Sequence, residues 1–432
     1  MTTFFQKLGL SRAPEAQPTV YILQGQGQQI ALHRAQSENY GSSVAGQNSQ
    51  MKSNDGQDYQ MKSLLGQGTQ GKVWDATLKR SGKSVVIKCL HQNHVEDVNS
   101  KDASKREQAK LFWRAFRNEI DILEACSGHP NIIKIVGRSP DYSQFMMEKA
   151  EIDLNKCLRV NRQRLTLGQC LKWFKDILVG LEHLHKVGVT HTDLKPENLL
   201  IGSDQQVKIC DFGMGQKAVS GTMWAVTGEL STLWYRAPEL LLGCKTFGDK
   251  IDEWAVGCIA MEMLCGMTVF QGQAQGTCQC PDVTHRNFNS DQLGKILQVA
   301  GTPKSLAGFT CAGHVKDWPF YQRQIEPVVK KYCQAKRQPD EHPDANGNVR
   351  RPCHSSTLWA QAIGGLLTIA PNERMTCRQI LAMPLFQDNS AQFPISKSNG
   401  ASTPVAKGSM PGMQGRQALQ HSVSHQNVIM GR

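Results

Sequence analysis

The chain has 432 residues, enough for two or three ordinary domains or for one two-lobed enzyme with tails. Hydrophobic residues make up 40% and charged residues 20%, and no apolar run of membrane-spanning length or secretory leader pattern is visible. We therefore expect an intracellular protein, cytoplasmic, nuclear or both, that does not bind membranes directly.

The charge balance favours anionic partners without choosing among them. Lys and Arg number 49 against 37 Asp and Glu, a net charge of +12 at pH 7. Nucleotides, phosphopeptides, nucleic acid and acidic membranes all fit such a surface, and so does a solvated basic surface with no specific partner. The 14 Cys are scattered singly, as buried free thiols are, which indicates a reducing compartment.

Both ends of the chain have the composition of disordered segments. Residues 1–57 are rich in Gln, Gly and Ser, and residues 388–432 in Ser, Gln, Gly, Pro and Met with a mildly basic balance. Such segments bury too little apolar surface to offset the entropy of the chain. A Gln-rich tail can also mediate assembly, but we predict two solvated tails around a folded part at 58–387.

In the folded part, a sheet precedes a series of helices. Alternating apolar residues and glycine-containing turns predict three antiparallel strands, at 59–65, 72–78 and 84–90. Apolar residues at three- and four-residue steps predict a helix over 104–126, and helical periodicity then dominates, as in 171–185 and 251–264.

Two Cys-containing insertions interrupt the helical part, near 271–290 and 304–355. Zinc is one interpretation of Cys278-Gln279-Cys280, Cys311, Cys333 and Cys353-His354. A C-x-C without a second paired spacing fits no common zinc module, so we expect no zinc site there.

The first motif with chemical meaning is Gly66-Gln67-Gly68-Thr69-Gln70-Gly71-Lys72-Val73, which fits G-x-G-x-x-G-x-V. Three glycines also make ordinary turns, so the motif alone is weak. A Rossmann loop would open a helix, whereas here a strand resumes at Val73. Glycines let backbone amides approach phosphate oxygens, and Lys88 supplies a cation at the end of an apolar strand, unless it is simply a surface lysine.

Two acidic motifs strengthen this interpretation. His191-Thr192-Asp193-Leu194-Lys195-Pro196-Glu197-Asn198 is followed by Asp211-Phe212-Gly213, and Ala237-Pro238-Glu239 closes the segment that Asp211 opens. An Asp-Phe-Gly alone is a turn candidate, but the two motifs after a glycine loop and a lysine are a strong joint signal. On these residues, positions 59–387 resemble a eukaryotic-type protein kinase domain.

A longer string narrows the resemblance to one group of kinases. Residues 231–240, Ser-Thr-Leu-Trp-Tyr-Arg-Ala-Pro-Glu-Leu, and 300–303, Ala-Gly-Thr-Pro, are similar to the CMGC group of cyclin-dependent, MAP and LAMMER kinases. His191-Thr192-Asp193 in place of His-Arg-Asp resembles the LAMMER and SR-protein kinases. The resemblance implies an α+β bilobal fold, with a small antiparallel sheet lobe at 58–150 and a mainly helical lobe at 151–387.

The catalytic roles follow from what phosphoryl transfer needs, which is charge neutralisation and alignment. The resemblance implies that Lys88 binds the α and β phosphates of ATP and that Glu119 positions it, although an exposed helical Glu is common. Asn198 and Asp211 are implied as Mg²⁺ ligands, because hard cations prefer oxygen. Asp193 is implied to accept the proton of the substrate hydroxyl.

Lys195 and Thr232 complete the expected catalytic set. By the resemblance, Lys195 marks Ser/Thr rather than Tyr kinases, and Thr232 contacts both Asp193 and Lys195. Glu239 and Arg374 match a buried ion pair whose role is structural.

The nucleotide site is implied in the same way. The residues expected around ATP are Gly66, Gln67, Gly68, Gly71, Val73, Val86, Lys88, Met147, Glu148, Ala150, Asp153 and Leu200. Met147 is the expected gatekeeper, residues 148–150 the hinge, Asp153 the ribose contact, and Val73 and Leu200 lie above and below the base. Met147 and Leu200 are core positions in this fold with or without nucleotide.

Several positions depart from the family pattern. Val86 replaces a smaller Ala above the base, which adds two methyl groups to a tight pocket. Asn118, Thr192 and Gln216 are neutral where related kinases carry the basic groups that bind a phosphorylated Thr, here Thr227. We predict an activation segment that is ordered by neutral contacts, unless Lys217 or a partner supplies the missing charge.

These observations predict a Mg-ATP-dependent protein serine/threonine kinase acting on Ser/Thr-Pro or basic-directed sites of a protein substrate, with a regulatory protein subunit left open. A pseudokinase scaffold is disfavoured because Lys88, Glu119, Asp193, Asn198 and Asp211 are all present. The other alternative is a nucleic-acid-associated protein acting through its basic tails. The sequence carries no RRM, KH or zinc-finger signature, so nucleic acid is not an expected partner.

Overall fold

A five-stranded antiparallel sheet forms the amino-terminal lobe in the computed structural model, which describes residues 51–387 except 69, 127, 162–164, 274–277, 279–281, 306–316 and 337–354. The strands are β1 (Tyr59–Gln67), β2 (Gly71–Leu78), β3 (Ser84–Leu90), β4 (Ile135–Arg138) and β5 (Gln144–Glu148), in the order β1-β2-β3-β5-β4. Val85 and Ile87 of β3 are buried on one face, as the alternating pattern predicts. The three predicted strands are therefore confirmed.

Two helices follow β3, α1 (Gln92–Asp97) and α2 (Ala103–Ala125). The Asp102 carboxylate accepts hydrogen bonds from the backbone amides of Ser104 and Lys105, which caps α2 at its start. Phe112, Phe116 and other apolar residues of α2 are buried, and Glu119 lies on the same face. The predicted helix over 104–126 is confirmed, and its spacing turns Glu119 towards the sheet.

Residues 51–57 differ from the expectation of a disordered tail through residue 57. Met51 is buried in a cluster with Val85 and Ile87, and a Cβ at Gly137 would overlap the carbonyl of Lys52. The folded part therefore begins before residue 58. Composition misplaced the boundary because one buried Met among polar residues leaves no hydrophobic pattern. The remainder of both predicted tails lies outside the described residues.

The carboxy-terminal lobe is mainly helical. Its helices are α3 (Leu154–Asn161), α4 (Leu167–Lys186), α5 (Pro238–Leu241), α6 (Lys250–Cys265), α7 (Ser290–Ala300), α8 (Ile325–Ala335), α9 (Ser356–Leu366) and α10 (Cys377–Leu381). Every residue of α6 from Ile251 to Cys265 is buried, so α6 is the central helix of this lobe. The helices predicted at 171–185 and 251–264 lie within α4 and α6. None of the described helices is long and apolar enough to cross a bilayer.

Short strands in this lobe position the loops that connect them. One small sheet has three strands, β6 (Ile152–Asp153), β8 (Leu199–Ile201) and β9 (Val207–Ile209). Two others have two strands each: β7 (Val189–Thr190) with β10 (Gln216–Lys217), and β11 (Trp224–Ala225) with β12 (Thr246–Phe247). The β7–β10 pair joins the chain just before His191 to the chain just after Gly213. The two acidic motifs of the sequence therefore lie side by side.

Parts of the two predicted insertions are folded into the carboxy-terminal lobe. The second contains α8, whose Val328, Val329 and Cys333 are buried in the main core. The first contains a 3₁₀ turn, Val283–Asn287, and Asn287 is completely buried. Cys278 Sγ lies 3.7 Å from His285 Nδ1 and Cys333 is buried, while Cys280, Cys311, Cys353 and His354 lie outside the described residues. In the described ranges, no three His, Cys, Asp or Glu side chains form a group that could bind a metal.

Candidate active site

The glycine-rich loop connects β1 and β2 at the edge of the cleft between the lobes. The Gly68 amide donates to the Gly71 carbonyl at 2.9 Å, and a Cβ at Gly71 would overlap the Cys89 carbonyl of β3. Only glycine fits at Gly71 for that reason. Gly66 and Gly68 face open space, which leaves room for a ligand against the backbone.

His91 is a contact of this loop that the sequence did not predict. Its Nε2 lies 2.7 Å from the Gly68 carbonyl, and its backbone amide donates to the Gln70 carbonyl at 3.0 Å. A carbonyl can only accept, so Nε2 carries a hydrogen in this contact. His91, the residue that follows β3, thus fixes two carbonyls of the glycine-rich loop.

Lys88, on β3, lies between two carboxylates. Its Nζ is 2.7 Å from Glu119 of α2 and 3.4 Å from Asp211. Burial disfavours the ammonium, but the charges of Glu119 and Asp211 outweigh it and raise the pKa of Lys88 above its usual range. The Lys88 charge in turn lowers the pKa of Asp211, so both groups are ionised at pH 7.

Asp193, Lys195 and Thr232 form a second cluster. Lys195 Nζ donates to Asp193 Oδ2 at 2.7 Å and to Thr232 Oγ1 at 3.2 Å. The backbone amide and the hydroxyl of Thr232 both donate to Asp193 Oδ1 at 2.8 Å. Burial raises the pKa of Asp193 to about 7, against the opposing effect of the Thr232 hydrogen bonds. This carboxylate is fixed in position and titrates near neutrality, as a general base requires.

Asn198 lies next to this cluster, at the end of a 3₁₀ turn that Pro196 begins. Its Nδ2 donates to the Asp193 carbonyl at 2.9 Å, so the Oδ1 end of the amide is turned away from that loop. The Asp211 carboxylate is 45% exposed in the cleft. An amide oxygen and a carboxylate are the donors that Mg²⁺ prefers, and Mg²⁺ usually takes only one or two carboxylates plus phosphate oxygens.

The residues expected around the adenine base lie on strands of the sheet and on the connection between the two lobes. Val86 of β3 pairs with Met147 of β5, and Val73 of β2 pairs with Lys88. Met147 and Leu200 are half-buried against the main core, consistent with their core role. Glu148 binds the Lys134 amide at 2.9 Å and Lys208 at 3.0 Å, and Ala150 is half-buried.

Asp153 already has a structural contact. Its carboxylate accepts the Lys156 amide at 2.8 Å at the start of α3 and lies 3.1 Å from Lys156 Nζ. The expected ribose contact of Asp153 stays a prediction, because a helix-capping carboxylate keeps acceptor capacity.

Asp252 of α6 anchors the catalytic loop. Its two carboxylate oxygens accept the backbone amides of His191 and Thr192 at 2.7 and 2.8 Å. His185 Nε2 lies 3.0 Å from the same carboxylate, and Thr192 has a positive φ of 70°. A β-branched residue rarely adopts this conformation, so the loop depends on Asp252 to keep it. Its signal in the sequence is an acid within the apolar run 251–264.

Several neutral side chains bind the activation segment, residues 211–239. Asn118 Nδ2 donates to the Gly215 carbonyl at 2.7 Å, and Thr192 Oγ1 donates to the Met214 carbonyl at 2.9 Å. The Ser231 hydroxyl donates to the Thr192 carbonyl. Two of the three neutral positions that replace basic groups therefore bind backbone carbonyls of this segment, and Gln216 pairs with Thr190 in β10 and β7.

Arg236, inside this segment, and Asn287, outside it, also bind its backbone, and the sequence predicted neither set of contacts. Arg236, only 3% exposed, donates to the Leu230 and Ser231 carbonyls at 2.8 and 2.9 Å and to Glu229 at 2.7 Å. The Asn287 side chain binds the Leu230 amide and the Gly228 carbonyl. The segment ends at a buried ion pair, in which both Arg374 terminal nitrogens donate to Glu239 at 2.8 Å.

Comparison with known proteins agrees with this geometry. The protein kinase domain family matches residues 59–386. Cyclin-dependent kinase D-1 of Arabidopsis thaliana is 34% identical over 243 residues, which are 56% of this chain and 54% of that protein. Mitogen-activated protein kinase 12 of Danio rerio is 30% identical over 324 residues, 75% of this chain and 77% of that protein.

A human relative covers more of this chain and less of its own length. Cyclin-dependent kinase 11A of Homo sapiens is 28% identical over 354 residues, 80% of this chain and 39% of that protein. The chain thus spans about half or less of the two cyclin-dependent kinases, at 54% and 39%. The chain belongs to the protein kinase family. It is a serine/threonine kinase of the CMGC group with the bilobal α+β fold, as the sequence predicted.

Proposed function

We propose that the protein transfers the γ-phosphate of Mg-ATP to Ser or Thr of a protein substrate, with Asp193 as the general base. The observation that carries the proposal is that two clusters lie close enough for their charges to interact, since burial and, to a smaller extent, Asp211 raise the pKa of Asp193, while Lys88 and, to a smaller extent, Lys195 lower the pKa of Asp211. Lys88, Glu119 and Asp211 form one, and Asp193, Lys195 and Thr232 form the other. The first suits a bound polyphosphate and the second an incoming hydroxyl.

At the nucleotide end, the chain supplies fixed charge. Lys88 binds the α and β phosphates, and Glu119 keeps its ammonium in place through the 2.7 Å ion pair. Asp211 and Asn198 would bind Mg²⁺, which neutralises phosphate charge when it is present. The open space at Gly66 and Gly68 suits phosphate oxygens.

At the substrate end, the chain orients a hydroxyl and receives its proton. Thr232 occupies Oδ1 of Asp193 and Lys195 contacts Oδ2, so the carboxylate has one orientation. Burial raises the pKa of Asp193 to about 7, which makes it basic enough to accept a proton as the new bond forms. Lys195 offsets the negative charge that develops nearby.

The backbone beside Asp193 favours proline after the acceptor residue, rather than a basic-directed site. Ser231 has a φ of 60°, and its carbonyl is already bound by Arg236 at 2.9 Å. A substrate residue following the acceptor would meet this carbonyl, next to Thr232, where Arg236 already takes one of the two lone pairs and leaves a poorer acceptor for its amide. Proline has no amide hydrogen and loses nothing there. An ordinary residue buries a poorly paired donor, which costs about 1–3 kcal/mol.

Three matched peptides test this proposal. They differ only after the acceptor Ser, which is followed by Pro, Ala or N-methyl-alanine, and kcat/KM is measured with ATP and Mg²⁺. We expect Pro and N-methyl-alanine to be similar and Ala to be about tenfold poorer, because only Ala carries the poorly paired amide. Equal rates for Ala and Pro would contradict the proline preference, and no transfer to any Ser or Thr peptide in a wider degenerate library would contradict the proposed function.

A further inference from the structure

The side chain of Asn287 is a buried polar group that the catalytic scheme does not use. It lies at the end of the 3₁₀ turn Val283–Asn287, inside the first predicted insertion, and it is 0% exposed. A buried amide is costly unless its donors and acceptor are paired. The partners of Asn287 therefore show what this turn does.

Both ends of the Asn287 amide bind the same short stretch of chain, residues 228–231, called here the 228–231 segment. Oδ1 accepts the Leu230 amide at 2.8 Å, and Nδ2 donates to the Gly228 carbonyl at 2.9 Å. A carbonyl and the amide two residues later lie on one edge of an extended chain, so a single side chain substitutes for the backbone of a neighbouring strand.

The backbone of Asn287 is part of the same network. Its carbonyl accepts Arg236 Nη1 at 3.1 Å, while Arg236 Nε donates to the Leu230 carbonyl at 2.8 Å. Asn287 and Arg236 thus bind opposite groups of Leu230, its amide and its carbonyl. Residue 232, immediately afterwards, binds the proposed base Asp193.

We infer that Asn287 is a positioning residue for the substrate peptide, acting through the 228–231 segment. The inference rests on the proposed function, because this segment adjoins the proposed acceptor site. A segment fixed before the peptide arrives loses less conformational entropy on binding. The turn Val283–Asn287 supplies this order from within the chain, through the two side-chain hydrogen bonds of Asn287 and the bond of its carbonyl to Arg236.

A second buried asparagine provides a matched control. Asn289, 1% exposed, also makes two side-chain hydrogen bonds to backbone, accepting the Gln292 amide at 2.8 Å and donating to the Gln273 carbonyl at 2.9 Å. Gln292 lies at the start of α7 and Gln273 in the chain that follows α6, so neither partner belongs to the activation segment. Asn287→Ala and Asn289→Ala therefore remove equivalent groups with comparable expected cost to folding.

The experiment compares both variants with the wild type in three measurements. These are KM for the best Ser-Pro peptide of the library, KM for ATP, and hydrogen exchange of the Leu230 amide. We expect Asn287→Ala to raise the peptide KM about fivefold or more, leave the ATP KM within about twofold, and speed exchange at Leu230. Asn289→Ala should change none of the three by more than about twofold.

Two results would overturn the inference. One is an equal peptide KM in the two variants, which would make Asn287 a folding residue only. The other is unchanged exchange at Leu230 in Asn287→Ala. If the wild type phosphorylates no peptide, the proposed function fails, and the exchange of Leu230 still decides whether Asn287 orders the 228–231 segment.

Discussion

At the nucleotide end of the cleft Lys88 lies between two carboxylates, 2.7 Å from Glu119 and 3.4 Å from Asp211. The activation segment, residues 211–239, is bound along its backbone by the neutral side chains of Asn118, Thr192 and Asn287, and towards its end by Arg236 and the Glu239–Arg374 ion pair. The nucleotide end depends on paired charges and responds strongly to loss of one of them. The activation segment is held by these contacts without an added phosphate, which bears directly on how the kinase is regulated.

The largest expected effect comes from removing charge at the nucleotide end. Asp211→Asn keeps the size of the side chain but removes the ionised Mg²⁺ ligand, so we expect turnover to fall by about 1,000-fold or more. Single-turnover phosphorylation at saturating ATP and Mg²⁺ measures it, and a thermal melt checks that the fold is intact. Turnover within about tenfold of the wild type, about 1.4 kcal/mol in barrier, would contradict the metal role.

A double-mutant cycle tests whether Lys88 and Glu119 act as a unit. We expect Lys88→Met and Glu119→Gln each to lower kcat/KM by about 100-fold, because the amide of Gln no longer fixes the ammonium. The double variant should lose much less free energy than the sum of the single losses, since the second change removes a contact already lost. Full additivity would show that the 2.7 Å pair does not act in catalysis.

The pH dependence of the rate connects the two ends. Burial raises the pKa of Asp193 to about 7, so a proton occupies the proposed base below that pH and leaves above it. We expect kcat/KM to fall about tenfold for each pH unit below 7 and to level off above it. A substrate without ionisable groups removes its own titration from the profile, and the same profile in Glu119→Gln separates Asp193 from Glu119, whose pKa burial also raises to about 7. A rate independent of pH between about 5.5 and 7 would contradict the role of Asp193 as a base.

The sequence predicted regular elements well because their signals are local. The strands at 59–65, 72–78 and 84–90 and the helix at 104–126 each carry a complete apolar pattern, and the structure has β1, β2, β3 and α2 there. Residues 51–57 were misassigned because their burial depends on a distant partner, Gly137 of β4.

The residues of the proposed site also divide into those with a local sequence signal and those without one. Lys88, Asp193, Asn198 and Asp211 stand in recognisable motifs. Asn287 has no local signal, because its partners at 228–230 lie about sixty positions earlier and only the fold brings them together. Arg236 was visible in the sequence as part of a motif, but its hydrogen bonds to Leu230 and Ser231 were not.

The smallest expected effect concerns phosphorylation of the exposed Thr227. A phosphate brings about −1.5 to −2 charges, which order a segment only where cations meet them. Arg236 is committed to Glu229 at 2.7 Å, and the Arg117 guanidinium lies over the Tyr142 ring at 4.5 Å. Lys217 is exposed, and so is Lys245, whose carbonyl accepts the Val226 amide.

Pairing with exposed lysines is worth only about 0–1 kcal/mol, so phosphorylation of Thr227 should change kcat/KM by less than about fivefold. The test expresses the full chain in a host without protein kinases, confirms by mass spectrometry that Thr227 is bare, and compares it with protein phosphorylated there and with Thr227→Ala. A gain of about a hundredfold, about 2.7 kcal/mol, would contradict the neutral ordering of the activation segment. Loss of such a gain in Lys245→Ala would identify Lys245 as the cation responsible. Equal activity of the three proteins would mean that the bonds of Asn118, Thr192 and Asn287 suffice to order the segment without phosphate.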